Sequence, residues 1–112
     1  MNFSERVQQL PSVTHLATLH VSSADGQALT TLEPKPGQAG SLVVYHALGL
    51  LYSGRITPAA ARLGLEWYGE HHADALAHPG KHPNIDRLLA CAEGGPDLLV
   101  RAVAIQSLPG DA

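Results

Sequence analysis

A chain of 112 residues is the size of a single domain, and 45% apolar residues with only 4% aromatics imply a core of Leu, Val, Ala and Ile. Seven Lys+Arg against ten Asp+Glu give a formal charge of −3 with no basic run, which argues against nucleic acid as a partner. A lone cysteine, Cys91, excludes an intrachain disulfide and a multi-thiolate metal site, and no apolar run approaches the ~20 residues of a membrane span.

The first ten residues lack an uninterrupted apolar core, so the expected location is cytoplasmic. Phe3, Val7 and Leu10 recur at i, i+4 and i+7, predicting a peripheral helix that Pro11 stops. From Val13 to Val21 apolar and polar residues alternate, with Ala17, Leu19 and Val21 on one face and Thr18, His20 and Ser22 on the other. That pattern predicts a half-buried strand, turned by Asp25-Gly26 into a second strand from Gln27 to Glu33.

Pro34 to Gly40 reads as a loop, because prolines cannot donate to a ladder or sit inside a helix. Ser41 to His46 reads as a third strand, with Ala47 to Tyr52 forming a helical turn or two before Gly54. Thr57 as N-cap and Pro58 at the first helical position start a long helix that runs to Pro79-Gly80. On that helix Ala61, Leu65, Tyr68, His72 and Leu76 face the core, while Glu66, Glu70 and Asp74 lie opposite. A second helix runs from about Pro83 to Gly94-Gly95-Pro96 with Ile85, Leu88, Leu89 and Ala92 inward, and Cys91 beside them. Leu98 to Ile105 reads as a central strand, and residues 108–112 as a peripheral tail. The expected fold is α+β: one mainly antiparallel sheet of about four strands, with the long helix and the second helix packed on one face.

Four of the seven histidines fall between Gly69 and Asp86, making that junction the first place to look for chemistry. In an unbroken helix His71, Asp74 and His78 form one column, which Trp67 extends, and His82 could fold back to join it. Two or three imidazoles with a carboxylate suit Zn²⁺ or Ni²⁺, although the spacing matches no closed zinc framework and the sequence requires no cofactor. The plainer reading is an exposed His71–Asp74 pair, with His78 interacting with the helix C-terminus. Lys81, His82 and Asn84 precede or open a helix whose first N–H groups are unpaired, a setting for a phosphate or carboxylate. The ordinary alternative is a cap and a connecting turn.

Trp67 and Leu63 lie off the main apolar stripe and mark a contact surface, for which a homodimer is the simplest partner; burial against neighbouring elements is the competing reading. His15, His20, Tyr45 and His46 come from adjacent predicted strands and could meet across the sheet. No Gly-x-Ser-x-Gly elbow is present, and Cys91 sits inside a helix, so nucleophilic catalysis has no sequence support. Acid–base work by Glu66, Glu70 or Asp74 with a histidine has no shifted pair to recommend it.

Gly40-Ser41-Leu42, Val44-Tyr45-His46-Ala47-Leu48 and above all Pro79-Gly80-Lys81-His82-Pro83-Asn84-Ile85-Asp86-Arg87-Leu88-Leu89 resemble a family of small bacterial proteins catalogued as a domain of unknown function. The resemblance implies a free-standing bacterial domain and carries no activity, substrate or cofactor. The leading expectation is a non-enzymatic binding or interaction module, self-associating through Leu63 and Trp67. The second is a metal-dependent or anion-binding protein using the histidine-rich junction. A pH-responsive switch is a third, since protonating all seven histidines would carry the formal charge from −3 to +4.

Overall fold

The computed structural model describes residues 1–106, so the tail expected at 108–112 lies outside the described residues. Nine elements follow in order: α1 (Phe3–Gln9), β1 (Leu16–Ser23), β2 (Ala28–Leu32), α2 (Ala39–Leu51), β3 (Arg55–Ile56), α3 (Pro58–Trp67), α4 (Glu70–Ala77), α5 (Pro83–Ala92) and β4 (Leu98–Ala104). The strands form one antiparallel sheet in the order β2-β1-β4-β3. The α+β architecture follows the sequence pattern.

Alternation in β1 decides which face is covered. Leu19 stands opposite Leu32 and Ala102, and Val21 opposite Thr30 and Val100. Residues directly opposite share a face, so Leu19, Val21, Leu32, Leu98 and Ile56 form the buried floor on which the helices pack. His20, Thr31 and Arg101 take the other face, where His20 Nδ1 lies 3.1 Å from Thr31 Oγ1. Gly26, with φ 96°, turns the β1–β2 hairpin at the expected Asp25-Gly26 pair.

Two elements differ from their sequence reading. Residues 41–46 are not a strand: they belong to α2, in which every residue from Leu42 to Leu48 is buried. A helix covered all round shows no amphipathic period, so an apolar run containing Val43, Val44 and Tyr45 imitates a buried strand. The fourth strand is instead the two-residue β3, paired with Leu98 and Leu99.

The long helix is two helices. Gly69 takes φ 55° and ψ −124°, a conformation open in practice only to glycine, and ends α3 before α4 begins. Its backbone lies against α1, where an added Cβ would come 3.5 Å from Phe3 N. The break resets the helical phase. Ala75 becomes the buried residue of α4, Leu76 is 60% exposed, and His72 is only half-buried.

α2, α3 and α5 close the core over the sheet, with Leu48, Leu88 and Ile85 fully enclosed and Gly64 allowing Leu48 and Leu88 to approach α3. Tyr45 ties α2 to α5: its hydroxyl donates to the Asn84 carbonyl at 2.6 Å and accepts from Arg87 at 3.2 Å. Burial pushes the Tyr45 phenol up to about 12, so it stays protonated and able to donate. Cys91 is a core residue whose thiol donates to the Ile56 carbonyl, and burial raises its pKa.

Candidate functional site

Asp74 sits in the last turn of α4 and gathers the residues that follow it. The chain reverses at Pro79-Gly80, with Gly80 at φ 91° and its N–H donating to Asp86 Oδ2 at 3.0 Å. That reversal folds Lys81 and His82 back onto one oxygen of Asp74, Nζ at 2.9 Å and Nε2 at 2.6 Å. The other oxygen lies 3.2 Å from His78 Nδ1. The hydrogen bond from His82, then that from Lys81, holds the Asp74 carboxyl well below the usual carboxylate range.

Above this cluster runs a row of rings. The Phe3 ring stacks on Tyr68 with centroids 5.2 Å apart and meets His71 edge-on at 5.1 Å, and His71 reaches His82 at 5.7 Å. Phe3 is positioned from three directions. Its N–H donates to Glu70 Oε1 at 2.8 Å, which lowers the Glu70 pKa, and Asn2 and Glu5 cap α1 reciprocally. Gly40 supplies the third: a Cβ there would come 2.7 Å from the Phe3 ring, so a larger residue would push the ring aside.

Between these rings and the starts of α2 and α5 lies a pocket of about 410 Å³. The first turn of α2 contributes Ala39, Gly40 and Ser41, and the first turn of α5 contributes Pro83, Asn84 and Ile85. Neither helix has a side-chain cap, because both N-cap side chains bond elsewhere. Gln38 accepts from the Glu33 N–H at 2.9 Å, and His82 donates to Asp74. The positive ends of two helices therefore open on one concavity, beside Lys81, His71 and His82. Ser41 Oγ and the Tyr68 hydroxyl, 2.7 Å apart, share one hydrogen bond between two O–H groups, so one proton of the pair remains to be donated. Tyr68 is 3% exposed, and its burial raises its pKa well above the ordinary phenol value.

Lys81, His82 and Asn84, expected around an anion, all line this pocket. Of the residues expected around a metal, His71 and His82 line it, Asp74 braces it from outside, and His78 lies at the helix end with Nδ1 3.3 Å from the Asp74 carbonyl. The Lys81 ammonium lies on the Asp74 oxygen that a metal would need, and among the described residues no group of three or more His, Cys, Asp or Glu is disposed to hold one. Trp67 is 8% exposed within the core and Leu63 packs partly buried against it. Of the four residues expected to meet across the sheet, only His15 and His46 come together, with ring centroids 5.7 Å apart, and not across the sheet: His46 lies on α2 and His15 in the turn before β1.

Phe3, Gly40, Ser41 and Tyr68 belong to the site without having been singled out. No local pattern signals Phe3 or Tyr68, and Gly40 and Ser41 stand at a helix start only once the apolar run after them is read as helical.

A family model described as an uncharacterized protein conserved in bacteria (DUF2322) matches residues 3–102. No curated protein and no solved structure matches the chain. Among the described residues, no helix is long and apolar enough to cross a membrane.

Proposed function

The chain belongs to that bacterial family, whose description assigns no activity, and we propose that it is a binding module for a small anionic molecule, held in the pocket between α2, α5 and the Phe3–Tyr68–His71 rings. One observation carries the reading: two uncapped helix starts, Lys81 and a hydroxyl pair converge on a concavity of about 410 Å³, a volume in the usual range for small-molecule sites. Asp74 acts as a brace, fixing His82 and Lys81 so that neither must be ordered when a ligand arrives. Self-association through Leu63 and Trp67 is the weaker reading, since Trp67 would have to leave the core to reach a partner.

Thermal unfolding in acetate against chloride, at matched ionic strength, tests the reading. Preferential binding of acetate to the folded state raises Tm with the logarithm of its concentration. In Lys81→Ala the unbalanced Asp74 charge weakens that binding about tenfold, the size of one charge-assisted contact. Identical Tm values in the two salts would sink the proposal.

A further inference from the structure

Resting on the anion-binding reading above, we infer that the ligand is a singly charged carboxylate carried on a flat apolar ring, in preference to inorganic phosphate or a polyphosphate ester. Three features of the pocket lead there. The first is charge. Lys81 is matched by Asp74 at 2.9 Å, and neither Asp86 nor Arg87 lines the pocket. What remains is the two helix starts, each equivalent to roughly half an elementary charge, so the pocket offers about one positive charge in total. That balances a monoanion. A dianion would keep an unmatched charge in a partly desolvated site.

The second feature is size. At ~30 Å³ of liquid volume per water molecule, a pocket of about 410 Å³ has room for about fourteen waters, far more than an acetate or a phosphate displaces. The third is the wall. Phe3, Tyr68, His71, Pro83 and Ile85 surround the polar end with apolar and aromatic surface, and the Phe3 and Tyr68 rings lie within 10° of parallel. A flat ring packs against such a surface by stacking or edge contact, while its carboxylate reaches the helix starts and the spare Ser41–Tyr68 proton. α1 has no buried residue, and its Phe3 is the side chain that completes this wall, which gives the N-terminal helix a role in selecting the ligand.

Backbone-amide NMR titrations of the full chain with benzoate, acetate and inorganic phosphate, at constant ionic strength, test the inference. Benzoate is expected to bind at least tenfold more tightly than acetate, and phosphate no more tightly than acetate. Phe3→Ala is expected to bring benzoate down to the acetate level, and Ser41→Ala to weaken both carboxylates together. Circular dichroism of each variant checks that the fold persists, and Ser41→Ala keeps the test intact if Phe3→Ala unfolds. Phosphate as the tightest ligand, or benzoate equal to acetate, would overturn the ring-carboxylate inference and leave the anion reading standing. No saturable binding of any of the three would overturn both.

Discussion

At the scale of single residues, Asp74 shows how one side chain turns a loop into a wall. Because His82 and Lys81 hold its carboxyl below the usual range, the sign of its pH dependence is fixed. The cluster contributes fully above the unfolded carboxyl value of 3.8 and loses its contribution as pH falls through the lower folded value. Asp74→Asn should therefore be less stable than wild type at pH 7, with the difference shrinking as pH falls below 3.8, as read from denaturant midpoints. His46 carries the same sign in a higher pH window. It is 8% exposed, its Nδ1 has no partner among the described residues, and burial followed by the neighbouring His15 lowers its pKa from 6.5. The unfolded chain takes up that proton first, so stability should fall as pH drops from about 6.5, and His46→Leu should flatten that part of the curve. A wild-type profile level from pH 7.5 to 5 would contradict this account of His46.

At the scale of elements, Gly69 separates what was legible in the sequence from what was not. Thr57-Pro58 and Pro79-Gly80 do bound the helical stretch, and Thr57 accepts from the Ala60 N–H at 3.2 Å. The break between them falls at Gly69, where α1 docks: Phe3 N–H donates to Glu70 Oε1, 67 residues away in sequence, a contact that periodicity does not encode. The break takes Trp67 off the column on α4 in which Asp74 still meets His78 at 3.2 Å, and the turn at Pro79-Gly80 adds Lys81 and His82 to Asp74. Gly69→Ala must hold an L-residue at φ 55° and ψ −124°, at a cost of about 1 to 3 kcal/mol, which exceeds the roughly 1 kcal/mol of helix propensity it could gain. Urea unfolding should show the net loss. An unchanged midpoint would mean that α3 and α4 can fuse.

At the scale of the molecule, β1 and α5 were legible because each has one face in the core and one in solvent, and β4 because its apolar run is the interior strand between β1 and β3. α2 was not, since it lies between the sheet, α3 and α5 and is covered from Leu42 to Leu48. That placement also explains why the pocket was only half visible. Lys81, His82 and Asn84 stood out as a helix start, while the opposing start at Ala39 to Ser41 was hidden inside an apparent strand. Since α2 and α5 share Leu48 and Leu88 near Gly64, the pocket's two walls are fixed by one core. Leu88→Ala should cost about 2 to 5 kcal/mol, as for other enclosed leucines, and loosen the site with the fold.

The central claim is that the two helix starts and the braced histidine form one anion site. The most direct measurement follows the backbone amides of Gly40, Ser41 and Asn84, together with the His71 and His82 ring nitrogens, as acetate is added at constant ionic strength. The account predicts saturable shifts that share one dissociation constant across all five groups, although they come from three separate parts of the chain. Shifts that never saturate, or that follow different constants on α2 and α5, would contradict it.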